Sequence, residues 1–219
     1  DPGTGKTLIA NTIAECIEFP FYSVDLGVID ELSLLGLNFS YKDSQEGAIT
    51  KAMSHFYTET GTKSGVIFFD EIVKTKGDRH HRKLVSGLLA ITDPKFRNKF
   101  VDEYLCGMTQ DLTGVLMIFA MNDIPEEKAL QDRLEIIEME KYTDEDKKNI
   151  IEQFIIPDQL KKLNISEYSF VISPECIQVI IEKSPTSSIR VLEKLTKKII
   201  DNLFLLYLKK PKEKIKNLR

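Results

Sequence analysis

No run of apolar residues in this chain reaches the length of a membrane span; the longest, Val115 to Met121, is strand-sized. Cysteine is scarce as well. Cys16, Cys106 and Cys176 lie far apart at no metal-binding spacing, and their odd number argues against a disulfide framework, so a reducing, intracellular compartment is expected. Positive charge has no excess: 30 Lys and Arg stand against 34 Asp and Glu, a formal net charge of −4, which gives no overall basic field for nucleic acid and leaves only local patches open. The adjacent His80-His81 has no Cys or carboxylate at a spacing that would complete a metal site, and reads as a solvated loop. No signal or transit peptide is visible, but a chain that opens inside a motif says nothing of location by that. What remains is ordinary for a globular protein, 42% hydrophobic and 29% charged over 219 residues, enough for a substantial core in one or two domains.

What is present begins at once. Asp1-Pro2-Gly3-Thr4-Gly5-Lys6-Thr7 supplies all but the first glycine of a phosphate-binding loop, G-x-x-x-x-G-K-[ST], and Leu8 opens an apolar-periodic segment. Gly3 and Gly5 let the backbone turn without a Cβ and aim successive N–H groups at one point, where the following helix also directs its positive dipole end. Polyphosphate fits such a cradle. Lys6 offers a mobile positive charge to the β- and γ-phosphates, and the Thr7 hydroxyl can take one position on Mg²⁺. The plainer alternative is a Gly-rich turn before a capped helix. Phosphate loops follow a buried parallel strand, so the first strand of the sheet is expected upstream of Asp1 and missing here.

Between Thr7 and Glu18, Ile9, Ile13, Cys16 and Ile17 recur at helical spacing. Phe21 to Asp25 reads as a strand, and Gly27 to Gly47 as a long irregular connection, a length usually tied to function, carrying Phe39-Ser40-Tyr41-Lys42. Ile49, Ala52, Met53 and Phe56 resume a helix. Gly65 to Glu71 is a continuous apolar run ending in two carboxylates, as in a buried parallel strand. Ligands of open α/β sheets sit at the carboxyl ends of strands, so Asp70 and Glu71 are expected beside the phosphate loop, a Walker B arrangement. Asp70 can hold Mg²⁺ directly or through water, and Glu71 can orient and deprotonate an attacking water. Val115 to Met121 is a further buried strand ending at Asn122, whose amide can bond a γ-phosphate or lytic water, or make a turn with Asp123. Leu134 to Met139 has a mixed pattern suited to a strand nearer the sheet edge. This alternation predicts an α/β class with a parallel sheet and helices on both faces.

After Lys141 the pattern changes. Thr143 reads as a cap with Asp144, Glu145 and Asp146 in the first turn of a helix whose apolar stripe is Ile150, Ile151, Phe154 and Ile155. Ser173 reads as a second cap with Pro174 at the first helical position. A third helix opens near Ser187 and carries Ile189, Leu192, Leu195, Ile199, Leu203 and Leu206. The expected organisation is an α/β nucleotide-binding domain over 1–140, a small all-helical lid domain over 141–208, and a basic segment 209–219 that is a solvated linker to something downstream rather than a nucleic-acid tail.

A phosphate loop, a carboxylate-tipped strand, a third strand ending in Asn and a helical appendix resemble an AAA+ ATPase, a P-loop NTPase. Asp70-Glu71-Ile72, Gly77-Asp78, Leu88-Leu89, Asp93-Pro94, Phe100-Val101-Asp102-Glu103-Tyr104-Leu105, Asp111-Leu112-Thr113 and Asp132-Arg133-Leu134-Glu135-Ile136-Ile137 look like stretches of Lon proteases in the same order. So do Tyr142-Thr143 and Ile156-Pro157 followed by Gln159, and the resemblance spans essentially the whole chain. It implies that Asn122 is sensor 1, that Arg133 is an arginine finger reaching the neighbouring subunit's nucleotide, and that Arg190 is sensor 2. With Glu71 these form the implied catalytic set; Pro2, Gly3, Thr4, Gly5, Lys6, Thr7 and Asp70 form the implied nucleotide and Mg²⁺ site. For Arg133 the plainer alternative is an ion pair with Asp132 or Glu135. Tyr41 aligns with a pore-loop aromatic that grips polypeptide. The chain departs from the family at Lys42 and Asp43, where an aliphatic residue and Gly are usual, at Asp1 for Pro, and at Ser188 for Gly. The resemblance further implies ATP and Mg²⁺ as cofactors, a homo-oligomeric ring that is a hexamer, polypeptide substrates, a cytoplasmic or mitochondrial-matrix-like location away from membranes, and a serine protease domain with a Ser-Lys dyad that this chain does not include. The other reading, an AAA+ remodelling or replication ATPase without peptidase, is disfavoured by the acidic balance and by an aromatic rather than basic residue in the Gly27 to Gly47 loop.

Overall fold

The computed structural model describes residues 3–29, 31–71, 79–164, 172–184 and 188–209. Asp1, Pro2, Ile72, Gly77, Asp78, Ser187 and the segment 210–219, named above, lie outside the described residues. The chain divides into two compact units, Gly5–Glu138, and Met139–Arg219 together with Asp1–Thr4.

In the first unit the elements run Lys6–Cys16 (α1), Phe21–Asp25 (β1), Glu31–Leu35 (α2), Ala48–Thr60 (α3), Gly65–Asp70 (β2), Arg79–Thr92 (α4), Phe100–Val101 (β3), Thr109–Gln110 (β4), Val115–Phe119 (β5) and Lys128–Gln131 (α5). Three strands form a parallel sheet in the order β1-β2-β5, with Phe21 opposite Val66, Asp25 opposite Asp70 and Phe69 opposite Phe119. β2 is central and buried on both faces, which is why it carries no polar alternation: Val66, Ile67, Phe68 and Phe69 are fully buried. Successive side chains leave the sheet on opposite sides. Phe68 packs with Ala10 of α1, Ala120, Phe21 and Ile118, while Ile67 and Phe69 enter a larger core with Met53 and Phe56 of α3 and Leu88 and Ile91 of α4. Helices therefore cover both faces. Burial of each such Phe stabilises by about 1.5–3 kcal/mol relative to leaving it in water.

Several local expectations change. The helix α1 forms, but its buried residues are Ala10 and Ala14, while Ile9, Ile13 and Ile17 are about two-fifths exposed and Cys16 is exposed. Two alanines permit a closer approach of helix to sheet than a row of isoleucines would, and α1 meets β2 on that small-residue face. Leu134 to Met139 is not a strand: an extended segment becomes one only through a ladder, and none is made there among the described residues, Ile137 being 82% exposed. His80-His81 lies in the first turn of α4 rather than in a loop. The connection after Gly27 holds the short helix α2, and β3 and β4 pair antiparallel, Phe100 opposite Gln110, as a small hairpin ahead of β5.

The second unit comprises Asp144–Ile150 (α6), a π-helical turn over Ile151–Ile155, Ile156–Lys162 (α7), Pro174–Lys183 (α8) and Ile189–Lys209 (α9). Its core is aliphatic: Ile151, Ile155, Ile177, Ile180, Ile181 and Leu192. Both caps form. The Thr143 hydroxyl accepts from the Asp146 N–H while Asp146 accepts from the Thr143 N–H, and the Ser173 side chain accepts from the Cys176 N–H with Pro174 at the first helical position. Phe154 leaves the predicted stripe and is 66% exposed. Pro157 cannot donate to the carbonyl four residues back and crowds it; the chain widens into a π turn there, which shifts the phase of the buried face. On α9 the buried positions among the described residues are Leu192, Thr196 and Ile200, with Leu195 partly buried against the same core and Ile199 exposed, and the Thr196 hydroxyl is satisfied by the Leu192 carbonyl at 2.9 Å. Gln159 donates to Asp201 at 2.6 Å, tying α7 to α9.

Candidate functional site

Gly5 caps α1 in the left-handed region, φ 83 and ψ 16, and Gly3 precedes it at φ 78. Side chains with a Cβ avoid that region, so these two positions explain why the loop needs glycine. At Gly3 a second reason applies: a Cβ would lie 2.1 Å from the Ser188 hydroxyl. The Gly3 carbonyl accepts from the Ile189 N–H at 3.2 Å and the Thr4 carbonyl from the Tyr142 hydroxyl at 3.0 Å, all within the helical unit's grouping. α1 carries no acidic residue in its first turn, so no carboxylate of its own neutralises the positive end of the helix.

In the α/β unit, the Lys6 ammonium donates to Asn122 Oδ1 at 2.9 Å across 116 residues of sequence. That contact exists because α1 lies against β2 and Asn122 follows β5, β2's neighbour, whose register continues through the Ala120 N–H bond to the Phe69 carbonyl at 2.8 Å. Asp70 ends β2 and its carboxylate accepts from the Glu71 N–H at 2.9 Å. Glu71 then adopts φ 52, a left-handed conformation rare for a residue with a side chain, and it is exposed. Lys6, Asp70 and Asn122 thus belong to the carboxyl-terminal side of neighbouring strands, where an α/β sheet presents ligands. Thr7 and Asp70 offer hard oxygens, the ligand class of Mg²⁺, which takes few protein ligands and keeps its waters. Among the described residues no cluster of three or more His, Cys, Asp or Glu side chains is placed to hold a metal ion.

Arg133 pairs with neither Asp132 nor Glu135. Its guanidinium donates to the Leu89 carbonyl of α4 and to Asp93 at 3.1 Å, just past that helix's end. Asp93 was legible only as part of a sequence match, since a partner 40 residues away leaves no local signal. Tyr41 and Phe39 are each 63% exposed on the loop between α2 and α3. That loop is turned by Asn38, whose side chain accepts from the Ser40 N–H at 3.0 Å and the Ser40 hydroxyl at 2.7 Å, and by the Ser44 N–H bond to the Tyr41 carbonyl at 3.2 Å. Arg190 is exposed in the first turn of α9, in the other unit.

The family model described as "ATPase family associated with various cellular activities (AAA)" matches residues 1–142. The chain is 38% identical over 204 residues to "Lon protease homolog, mitochondrial 1" of Dictyostelium discoideum, covering 91% of this chain and 20% of that protein. It is 33% identical over 215 residues to "Lon protease" of Clostridioides difficile, 96% and 26% of the two lengths, and 34% identical over 211 residues to "Lon protease" of Helicobacter pylori, 94% and 24%. The chain spans about a fifth to a quarter of the length of these curated relatives.

Proposed function

We propose that this chain, which belongs to the AAA family of ATPases, is the ATP-hydrolysing motor of a Lon-like ATP-dependent protease, unfolding polypeptide and feeding it to a protease domain carried elsewhere in the full-length protein. The observation that supports it most is the 2.9 Å bond from Lys6 to Asn122, with Asp70 ending the strand that pairs with β5. In this reading residues 1–140 are the nucleotide-binding domain, 141–208 its helical lid and 209–219 a link onward.

ATP with Mg²⁺, when bound, supplies the phosphoanhydride whose cleavage drives the motor. The backbone of Pro2, Gly3, Thr4 and Gly5 cradles phosphate, Lys6 neutralises its charge, and Thr7 and Asp70 offer oxygens to the metal. Glu71 accepts the proton of a water that Asn122 helps to orient. Arg133 of one copy stabilises charge at the site of its neighbour, and Arg190 contributes from the helical domain. Nothing covalent is asked of the protein; position and electrostatics supply the rate. The copies form a hexameric ring in which Tyr41 presses on the passing polypeptide, an aromatic face being tolerant of any side chain. A reducing compartment, cytoplasm or mitochondrial matrix, suits three free, exposed cysteines, and the Dictyostelium discoideum relative is named as mitochondrial.

Two substitutions in the full-length protein test this. Lys6→Ala abolishes nucleotide binding, because Lys6 holds ground and transition states alike, whereas Glu71→Gln keeps binding and loses hydrolysis, because Glu71 acts on water. Tight ATP binding by the first variant, or full turnover by the second, removes the assignment.

A further inference from the structure

The loop that carries Tyr41 has a narrow base. The Leu37 N–H donates to the Gln45 carbonyl at 2.9 Å, and a Cβ on Gly47 would lie 2.5 Å from the Leu34 carbonyl oxygen and 2.6 Å from the Gly36 nitrogen, so the two stems touch backbone to backbone. Beneath them sits a fully buried carboxylate, Asp102, directly after β3. One of its oxygens accepts from the Gly47 N–H at 2.9 Å and from the Thr50 hydroxyl; the other accepts from the Tyr104 N–H at 2.8 Å. Thr50 in turn accepts from Gln110 of β4 at 2.8 Å, and the Glu103 N–H donates to the Leu35 carbonyl at 3.0 Å. Gly36 stands at φ 88, and a Cβ there would fall 2.0 Å from Asp102 Oδ1, so the first stem is shaped to the carboxylate as well.

A buried carboxylate is costly unless every oxygen is satisfied, and here donors come from the second stem, the start of α3 and the hairpin together. The segments flanking the hairpin are tied to the sheet, with Arg97 donating to the Val115 carbonyl at 2.9 Å and the Leu112 N–H to the Arg97 carbonyl at 2.7 Å, at the beginning of the strand that leads to Asn122. We infer that Asp102 is a positioning residue that fixes the Tyr41 loop to the β3–β4 hairpin, so that force on the loop is borne by the sheet rather than lost in movement of the loop. Asp102 touches neither nucleotide nor polypeptide; it acts through Gly47 and Thr50. The inference rests on the reading of Tyr41 as a polypeptide contact, and supplies the anchor which that reading requires.

The test compares three variants of the full-length protein, Tyr41→Ala, Asp102→Asn and Thr50→Val, on basal ATP turnover and on unfolding of a tagged folded protein and of the same protein already unfolded. Asparagine keeps the volume but turns one acceptor into a donor, so whichever way the amide faces, one N–H of Gly47 or Tyr104 loses its partner. For Asp102→Asn the expected result is basal turnover within about twofold of the parent, processing of the already unfolded substrate nearly intact, and unfolding of the folded one slowed roughly tenfold. Thr50→Val moves in the same direction by a smaller factor, and decides the matter on the same readouts if Asp102→Asn does not fold. A merely structural role lowers all three activities in equal proportion, and that outcome overturns the inference. So does an unchanged Asp102→Asn, or a Thr50→Val standing in for it, beside a Tyr41→Ala that has lost unfolding; the motor reading then stands without the anchor. If Tyr41→Ala unfolds its substrate as the parent does, the loop reading fails and the anchor falls with it.

Discussion

The α/β unit and the helical unit hold their candidate residues in different ways. In Gly5–Glu138, Asp70 ends a strand whose middle is wholly buried and Asn122 follows its half-buried neighbour, and the core beneath them is rich in aromatic rings, Phe69 stacking on Phe119 with centroids 4.7 Å apart. Each strand is registered against a neighbour, so a residue at its end inherits a position set by many side chains at once. In Met139–Arg219 the core is isoleucine and leucine, and Arg190 stands exposed in the first turn of a helix, a turn held at its start by the bond from the Ile189 N–H to the Gly3 carbonyl and not by strand register. Chemistry that depends on fixed distances belongs to the first arrangement; the second is suited to elements that shift.

The largest effect that sharpens this contrast is at Arg133. Its loss slows turnover by roughly 10³ or more if it acts as other arginine fingers do, with nucleotide affinity changed far less. Mixing Arg133→Ala subunits with Lys6→Ala subunits then recovers activity, whereas dead mixtures in verified mixed rings break the idea of a shared site. In the folded chain the pairing with Asp93 is partly exposed and supports only about 0–1 kcal/mol, so a collapse of stability in Arg133→Ala would instead make Arg133 a structural residue.

Next in size is the core of the sheet. Phe68→Ala destabilises the α/β unit by about 3–5 kcal/mol, seen as an earlier denaturant midpoint for that unit with the helical unit's transition unchanged. A common shift of both transitions would show that the units do not unfold separately. A smaller effect is expected at the cap: Thr143→Ala costs the helical unit ~1 kcal/mol, because the Asp146 N–H loses its acceptor.

The smallest is acid. Asp146 is held below the ordinary carboxylate range by the Thr143 hydroxyl and then its N–H, Asp158 first by its hydrogen bond to Lys162, and Glu175 by its own N–H and by Ser173. In the α/β unit Asp111 is lowered likewise, by the N–H and then the hydroxyl of Thr113. A depressed folded value stabilises fully above the unfolded value and is lost as pH falls through the folded one, so these contributions disappear below the ordinary carboxylate range. Among the described residues three of the four lie in the helical unit, and on acid titration amide NMR signals of that unit should shift or broaden before those of the sheet do. The reverse order would mean that the caps contribute little.

The same contrast governs what could be read from sequence. Gly65 to Phe69 is apolar on both faces and could scarcely be anything but a central strand; Thr143 and Ser173 announce their helices through capping chemistry that acts within four residues. Periodicity did less well where it had to choose a face. On α1 the large residues mark one side of the helix, yet the sheet meets the alanines, because closeness of approach outweighs side-chain size there. Phe154 and Ile199 were misplaced by a π turn and by a one-residue phase on a long helix. Leu134 to Met139 has strand-like composition but no partner to pair with among the described residues. The glycines of the loop before α1 were legible by type and spacing, and both adopt positive φ, whereas Asp93 beside Arg133 and Asp102 beneath Gly47 join parts of the chain far apart in sequence and left no periodic trace.

Glu71 carries a consequence for how this protein can change over time. Its φ of 52 is one that glycine, and to a lesser degree asparagine, adopts more readily than glutamate does. A population selected for heat resistance alone would therefore drift at this position towards Gly or Asn, gaining about 1 kcal/mol, or ~2–4 °C in melting temperature, while discarding the carboxylate proposed above as the acceptor of water's proton. On the proposed function, a glutamate held in this conformation trades endurance for turnover, and thermostable variants recovered from random libraries should be checked at position 71 before their turnover is taken as improved.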